Sequence, residues 1–399
     1  MSAPTDAELT ERTNALVESC RDFLDDQVRF RGAQFDAGLA LVHLPEGAGG
    51  LGGNRGQQAV IDAILRANGV TYEDLRINPI GIGMGLPTVL AYGSDELKEK
   101  HLRRIFTGED IWCQLFSEPT HGSDVAGIPS RAVRDGDEWV VNGQKVWTTL
   151  AHLSRWGMLV ARTDPDQPKH KGLTYFVVDM QAPGVDVRPL RQMTGDAEFN
   201  EVYFTDVRIP DAERLGDIGE GWGVSLTTLM NERVSIGGTV APRGSGYIAT
   251  AVREFTAHSD AMGEAERIAN KDELMKLWVR AEVVRLTNIR ASENRKLGNP
   301  GPEGSVGKLA SAELNKDVTA FTMNLMGPDA FLYGDYTMRR PETAADASTP
   351  QRGFLRMRAN SIEGGTTEIM KNILGEQVLG LPGEPRTDKD VPWIDVPRG

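Results

Sequence analysis

The sequence predicts an α+β multidomain chain, in which an N-terminal α-helical domain, a central β-barrel domain and a C-terminal α-helical bundle follow one another. Three observations support this fold class. The 399 residues exceed what one small domain needs. Helical periodicity dominates the beginning of the chain and returns in its second half, and short strand-like segments lie between. We place the domains at residues 1–112, 113–218 and 219–399.

The N-terminal domain contains one strongly marked helix. Ser94 is a good N-cap, and Asp95 follows it in the first turn, where a negative charge is favourable. Leu97 and Ile105 fall on one face of the predicted helix. Upstream, the glycine-rich stretch 45–53 cannot form a regular helix or strand and therefore predicts a loop.

The central domain is predicted from short segments with strand composition. The Asn142-Gly143 pair between residues 139–141 and 144–148 predicts a hairpin with a two-residue turn. Further strands are predicted at residues 156–161, 173–180, 185–190 and 201–209. Strands this short and this closely spaced are typical of a small barrel or sandwich.

The C-terminal domain shows long helical periodicity again. Helices are predicted at residues 222–236, 271–293 and 306–326, with a loop at 327–352 and a last helix from Thr366 to Leu379. Gly380 and Pro382 supply a stop after this helix. We expect the polar tail beyond it to be extended.

Overall charge and composition argue against several classes of protein. A net charge of −13 is unfavourable for broad binding to nucleic acid or to a membrane surface. No apolar run approaches the roughly 18 residues of a membrane span, and the polar, acidic start is unlike a secretory signal. Cys20 and Cys113 are far apart and the histidines are scattered, so we expect neither a disulfide framework nor a metal. A cytoplasmic protein is expected.

Four segments carry candidate chemistry, because they place small and polar residues where elements end or charged residues where apolar ones prevail. They are residues 114–124 (QLFSEPTHGSD), 142–149 (NGQKVWTT), 229–234 (LMNERV) and 362–369 (IEGGTTEI).

Each segment has two readings when it is taken by itself. The glycine-rich turn before Thr366 either holds a phosphate at a helix start or is an ordinary Thr-capped helix. Trp147, at the end of a strand, fits core packing or stacking on a cofactor. Glu232, inside a largely apolar helix, needs either a chemical purpose or an ion-pair partner.

Together and in this order, the segments resemble the signatures of the acyl-CoA dehydrogenase family. Residues 117–124 resemble its T-E-P-x-x-G-S-D motif, and residues 142–149 resemble its N-G-x-K-x-W-I-T motif. Residues 207–210 resemble the strand that closes its β domain, and residues 365–369 resemble its G-T-S-E-I helix start. The chain is therefore identified as a member of this family.

The resemblance implies FAD bound between the β domain and the C-terminal bundle. The residues that would line the flavin are Phe116, Ser117, Ser123, Trp147 and Thr149, of which Ser123 would also reach the CoA side. Those that would meet the adenosine-diphosphate portion are Gly365, Thr366, Thr367 and Glu368.

The resemblance also implies a reaction. A base removes the proton α to the thioester of an acyl-CoA, a hydride leaves the β carbon for flavin N5, and a trans-2-enoyl-CoA results. The thioester oxygen is held by the flavin ribityl 2′-hydroxyl and one backbone N–H, here that of Gly364. An electron-transferring flavoprotein takes the electrons. An acyl-CoA oxidase or a flavin monooxygenase on the same fold is the alternative.

The position of the base departs from the commonest family pattern. Many members carry it directly before the Gly-Thr of the last motif, where this chain has Gly364. Others carry it on the first long helix of the C-terminal domain in an L-x-x-E-R pattern, which residues 229–233 match. Glu232 is therefore the predicted base, Glu363 is the alternative, and Arg233 is expected either to help fix that helix or to serve the substrate side. Subfamilies with a helix-borne base often take long, branched or ring-bearing acyl groups.

Two further motifs are altered. The R-x-Q-F motif, with which a neighbouring subunit grips FAD, has no match at residues 245–275, and the Q-x-x-G-G-x-G motif has none at 322–332. A homodimer or tetramer with different contacts is one expectation. A heteromer is another, in which this chain is either the catalytic subunit or a non-catalytic partner.

Overall fold

The computed structural model describes residues 3–72, 77–237, 240–296, 301–341, 349–386 and 388–396, and it leaves out the side chains of 233–237 and 295–296. The chain divides into two compact units. The first comprises Met1–Leu190, Phe199–Glu232 and Arg386–Gly399, and the second comprises Arg191–Glu198 and Arg233–Pro385.

The N-terminal part of the first unit is helical, as predicted. Its helices are α1 (Asp6–Ser19), α2 (Gln27–Asp36), α3 (Gln58–Ala67), α4 (Leu86–Tyr92) and α5 (Asp95–Thr107). The Ser94 hydroxyl caps α5 by accepting the backbone N–H of Leu97 at 3.3 Å, and Leu97 and Ile105 are buried on one face. The predicted cap, helix and buried face are thus confirmed.

The central strands of the described residues form one eight-stranded sheet with the order β6-β7-β3-β2-β4-β5-β8, and β1 pairs in parallel with β4. The strands are β1 (Trp112–Leu115), β2 (Arg131–Asp135), β3 (Glu138–Thr149), β4 (Trp156–Arg162), β5 (Leu173–Asp179), β6 (Val185–Pro189), β7 (Phe199–Pro210) and β8 (Arg214–Leu215). The four strands predicted after residue 150 are confirmed to within two residues.

The predicted hairpin turn at Asn142-Gly143 is wrong. Strand β3 runs through both residues, and its hairpin partner is β2, which the sequence pattern did not predict. The turn lies at Gly136, whose φ of 67° suits glycine. Asn142 is held by β7 instead, since it exchanges two hydrogen bonds with Asp206, at 2.9 and 3.0 Å.

Strands β4 and β5 are buried on both faces and contribute to two different cores. Met158 and Tyr175 belong to the core that contains the N-terminal helices, whereas Leu159 and Phe176 belong to the core within the sheet domain. Because side chains alternate along a strand, each strand supplies both cores in turn. Tyr175 therefore faces the helical side.

The C-terminal helices are α6 (Gly221–Gly237), α7 (Tyr247–His258), α8 (Glu264–Lys296), α9 (Glu303–Met326), α10 (Pro350–Met357) and α11 (Thr367–Asn372). Helix α8 begins earlier than predicted, and α7 and α10 were not predicted. The predicted loop at 327–352 has a short 3-10 turn, Gly327–Phe331, at its start, and 342–348 lie outside the described residues. Helix α11 continues as a π-helix, Ile373–Val378, so the last helix ends before Gly380 as predicted.

Residues 388–396 of the tail belong to the first unit. The indole N–H of Trp393 donates to the carbonyl of Gly127 at 2.8 Å, and a 3-10 turn spans Trp393–Asp395. Within the described residues, no helix is long and apolar enough to cross a membrane.

Candidate active site

The segment that is expected to line a flavin leaves the sheet at the end of β1. Phe116 is buried, and its ring lies edge-on to that of Tyr175 with centroids 5.8 Å apart. The carbonyl of Ser117 accepts the N–H of Val146 at 2.9 Å, which ties the segment to β3. Ser123 lies further along the loop and is exposed. Within this segment, the Phe116 side chain packs into the core, whereas Ser123 is accessible to a ligand.

A buried ion pair anchors this segment to β3. The Lys145 ammonium lies 2.6 Å from the Glu118 carboxylate and donates to the carbonyl of Phe116 at 3.1 Å. Both side chains are almost wholly buried, and Glu118 also accepts the N–H of Ser130. Burial lowers the pKa of Lys145, and the Glu118 charge opposes that shift. The pair joins β3 to the predicted flavin-lining segment.

Trp147 lies at an irregularity near the end of β3. The pairing of β3 with β7 shifts between Lys145 and Thr148, and Trp147 has a φ of 61°, which is rare for a bulky residue. Its indole is 57% exposed, with one edge against Phe199. Such strain at an exposed aromatic ring indicates a functional constraint on where the ring is held. Thr149, two residues on, is half-buried.

Glu232, the predicted base, lies on α6. Its side chain is half-buried, one turn after the fully buried Thr228. Residues four apart share a helix face, so Glu232 continues the face that packs into the core. The side chain of the neighbouring Arg233 lies outside the described part of the chain.

Glu363, the alternative base, is engaged by two donors. Arg356 donates to its carboxylate at 2.9 Å and Asn360 at 2.6 Å. Burial acts to lower the pKa of Arg356, but the hydrogen bond and charge of Glu363 outweigh it and raise that pKa. Both bonds reach the same carboxylate oxygen, Oε1, and they tie Glu363 to α10 and to the turn that follows it.

The glycine-rich turn enters α11 as the sequence predicts. Gly364 and Gly365 have φ of 62° and 90°, and the Thr366 hydroxyl caps the helix by accepting the N–H of Ile369 at 3.1 Å. Lys308 donates to the carbonyls of Asn360 and Gly365. The turn is thereby held at both of its ends.

An open pocket of about 450 Å³ lies at this helix start. Thr366, Thr367 and Glu368 line it together with Glu313, Lys316 and Lys371. Lys371 is a suitable donor for a diphosphate, whereas Lys316 and the Thr367 hydroxyl already donate to Glu313, at 3.0 and 2.8 Å, and would share their donors with it. In the first unit, the exposed indole of Trp147 is suitable for contact with a planar ring. The residues that the family pattern assigns to FAD therefore fit the group in each unit taken separately.

Motif matching missed the residues that support the site. Glu118 and Lys145 lie within two of the motifs, yet only the structure joins them as a pair. A lysine inside a strand and a glutamate in the loop after another strand were the available signal, since buried charges need partners. Tyr175 and Thr228 gave no signal, because they meet across 53 residues of sequence.

Comparison with known proteins identifies the family of the chain. The chain matches the acyl-CoA dehydrogenase N-terminal domain over residues 10–109, the middle domain over 113–207 and the C-terminal domain over 219–379. Acyl-CoA dehydrogenase FadE34 of Mycobacterium tuberculosis is 36% identical over 349 residues, which are 87% of this chain and 45% of that protein. The chain thus spans about half the length of this relative.

Solved structures of the same fold cover nearly the whole chain. A variant described as the Tcur3481-Tcur3483 steroid ACAD has a TM-score of 0.67 at 25% identity and covers 95% of this chain and 100% of its own. The ChsE4-ChsE5 complex from Mycobacterium tuberculosis has a TM-score of 0.68 at 27% identity and covers 96% and 99%. The predicted order of helical, sheet and helical domains is confirmed, and the chain belongs to the acyl-CoA dehydrogenase family of FAD flavoenzymes.

Proposed function

We propose that this chain catalyses the FAD-dependent α,β-dehydrogenation of an acyl-CoA thioester to the trans-2-enoyl-CoA, with Glu232 as the base. The arrangement of the candidate carboxylates carries the proposal. Gly364 has no side chain to offer, and Glu363 is engaged by Arg356 and Asn360. Glu232 is half-buried at the position of the helix-borne base. Replacing Glu232 with glutamine and following flavin reduction by an acyl-CoA tests it.

Each group on the chain has a distinct part in the proposed reaction. Glu232 takes the proton from the carbon α to the thioester. The N–H of Gly364 donates to the thioester oxygen, where negative charge develops as that proton leaves. Ser123, exposed on its loop, contacts the CoA side. Arg233 is assigned to the substrate side by its place beside the base.

Bound FAD would supply the acceptor for the hydride that leaves the β carbon. Trp147 and Thr149 are proposed to hold its ring, together with Phe116, Ser117 and Ser123. The group proposed to hold its adenosine-diphosphate portion is Gly365, Thr366, Thr367 and Glu368. The exposure of Trp147 and the lysines beside Thr366 and Thr367 support these two assignments.

An electron-transferring flavoprotein is the proposed electron acceptor, and oxygen is the alternative, as in an oxidase or a monooxygenase. We expect the reduced protein to be reoxidised faster by an electron-transferring flavoprotein than by air-saturated buffer. Stopped-flow recording of the returning flavin absorption measures both rates. A faster reaction with oxygen would replace the dehydrogenase proposal with the oxidase.

We also propose that the chain assembles with a second chain of its own family. The two altered FAD-grip motifs support this, and so does the solved complex of ChsE4 with ChsE5. Helix α8 bears exposed apolar residues at helical spacing, which indicate a contact surface. They are Ile268, Met275, Val279, Val283 and Leu286. A homodimer or homotetramer is the alternative assembly.

The flavin content of the purified chain tests the assembly. We expect the chain alone to be nearly colourless, and to become yellow and bleachable by acyl-CoA when a second acyl-CoA dehydrogenase chain is co-expressed. A stoichiometric flavin in the chain alone would contradict the heteromer. If Glu232→Gln left a loaded heteromer fully active, the chain would instead be the non-catalytic partner, a role that the half-buried Glu232 opposes.

The acyl group is proposed to be bulky or ring-bearing. The base borne on α6 supports this, as does the description of one structural neighbour as a steroid ACAD. Cyclohexylpropanoyl-CoA is a suitable first probe, with a straight-chain acyl-CoA beside it.

A further inference from the structure

Three buried hydroxyl groups meet between the sheet and the helices of the first unit. The Tyr175 hydroxyl of β5 lies 3.0 Å from the Thr228 hydroxyl of α6, which lies 3.0 Å from the Thr88 hydroxyl of α4. All three side chains are fully buried. One chain of hydroxyl groups therefore connects a strand, an N-terminal helix and the helix that carries Glu232.

The direction of the hydrogen bonds follows from counting protons. Thr88 is also 2.8 Å from the carbonyl of Met84, and that carbonyl can only accept. The Thr228 hydroxyl likewise lies 3.2 Å from the carbonyl of Val224. With Thr88 donating to Met84, and Thr228 donating to Val224 or to Thr88, the Tyr175 hydroxyl donates to Thr228. Burial raises the pKa of Tyr175, so its hydroxyl keeps the proton that starts the chain.

Tyr175 also contacts Phe116, and this second contact relates the chain of hydrogen bonds to the proposed flavin site. Its ring lies edge-on beneath Phe116, the residue that begins the flavin-lining segment. Its hydroxyl binds Thr228, one turn before Glu232 and on the same helix face. A single rigid side chain thus touches the floor of the proposed flavin site and the helix of the proposed base.

We propose that Tyr175 is a positioning residue, whose hydrogen bond to Thr228 sets the rotation of α6 and so aims Glu232 at the substrate carbon above Phe116. The inference rests on the proposed function of Glu232. A misplacement of about 1 Å is enough to cost a large factor in rate. Loss of one hydroxyl is therefore expected to slow proton removal without emptying the site.

A second tyrosine offers a matched control, because its hydroxyl bonds to Thr227, the residue next to Thr228. The Tyr92 hydroxyl of α4 lies 2.9 Å from the Thr227 hydroxyl of α6, so the same two helices are joined by a second bond of the same kind. Tyr92 is exposed, and Thr227 does not share the helix face of Glu232. Tyr92→Phe also removes one hydroxyl group, but it is expected to leave the direction of the Glu232 side chain unchanged.

The test compares Tyr175→Phe with Tyr92→Phe in the FAD-loaded protein, with cyclohexylpropanoyl-CoA as the probe. Tyr175→Phe keeps the ring against Phe116 and is expected to slow flavin reduction roughly tenfold. It should also slow exchange of the α proton with deuterated water to the same extent, with flavin content and thioester affinity unchanged. Tyr92→Phe should leave both rates within about twofold. Equal rates in Tyr175→Phe and the unmodified protein would overturn the inference.

Two further comparisons separate aim from stability and from the proposed function. If Tyr175→Phe loses its flavin, two variants of Thr228 replace it in the test. Thr228→Ser keeps a hydroxyl and is expected to retain the rate of flavin reduction, whereas Thr228→Val is expected to lose it. Equal rates in these two variants would overturn the inference. In a Glu232→Gln background Tyr175→Phe should slow neither reaction further, because no base is left to aim. An undiminished effect there would refute positioning through Glu232. A fully active Glu232→Gln variant would instead refute the proposed base.

Discussion

Glu232→Gln is expected to slow flavin reduction by acyl-CoA roughly 10³-fold, because glutamine keeps the size of the side chain but cannot take the α proton. Thioester affinity and flavin content should be unchanged, since the contacts assigned to CoA and FAD lie elsewhere. Rapid-mixing measurement of flavin absorption under anaerobic conditions gives the rate, and the change in the flavin spectrum at equilibrium gives the affinity.

Glu363→Gln is the matched control for this prediction. It removes a charge from the alternative candidate base, a carboxylate that Arg356 and Asn360 already hold. We expect a change in rate of less than about fivefold, with some loss of stability, because Arg356 is largely enclosed and keeps only Glu198 of its two carboxylate partners. The reverse pattern, with Glu363→Gln inactive and Glu232→Gln active, would move the base to Glu363.

Lys145→Met is expected to destabilise the first unit by about 3–5 kcal/mol, because it leaves the Glu118 carboxylate buried without its cation. The same change removes the bond to the carbonyl of Phe116, so flavin should also be held less tightly. Denaturant unfolding of the variant, with flavin release followed in parallel, measures both effects.

Arg208→Met is the control on the same sheet. Arg208 pairs with Glu138 and Asp135, both at 2.9 Å, but it is exposed, so its removal should cost far less stability than Lys145→Met. The double variant Lys145→Met with Glu118→Gln should recover part of the stability, because no bare charge remains buried. Equal costs for Lys145→Met and Arg208→Met would contradict the importance given to the buried pair.

The elements that could be predicted are those whose signals are local. The cap at Ser94 and the apolar face of α5 lie within one short segment, and the structure has both. The Thr366 cap of α11 is another example, because the hydroxyl and the N–H that it accepts are three residues apart. Local signals of this kind need no knowledge of the rest of the fold.

The Asn142-Gly143 hairpin failed because a distant residue decides the backbone there. An Asn-Gly pair between strand-like segments is a strong turn signal by itself. Asp206, however, is 64 residues away and takes both hydrogen-bonding groups of the Asn142 side chain, which keeps the chain in β3. Residue 143 is glycine for a different reason, the close packing of β3 against Ser130. A Cβ at this position would lie 2.0 Å from the Ser130 hydroxyl oxygen.

The candidate site divides in the same way. The motifs placed Trp147, Glu232 and the turn before Thr366 correctly on their elements, because each motif is a continuous segment. The residues that hold them in place, such as Lys145 and Tyr175, act through partners far along the chain. Sequence patterns therefore indicate where the chemistry is expected, whereas its support becomes visible only in three dimensions.

Exchange of the α proton tests the role of Glu232 most directly, because it reports proton removal without hydride transfer. A thioester that carries sulfur in place of its β carbon cannot give up a hydride, but its α proton remains removable. Incubated with the FAD-loaded protein in deuterated water, this analogue should exchange its α proton rapidly with the unmodified protein and with Glu363→Gln. In Glu232→Gln the rate of this exchange should fall roughly 10³-fold. Undiminished exchange in Glu232→Gln would show that another group takes the proton.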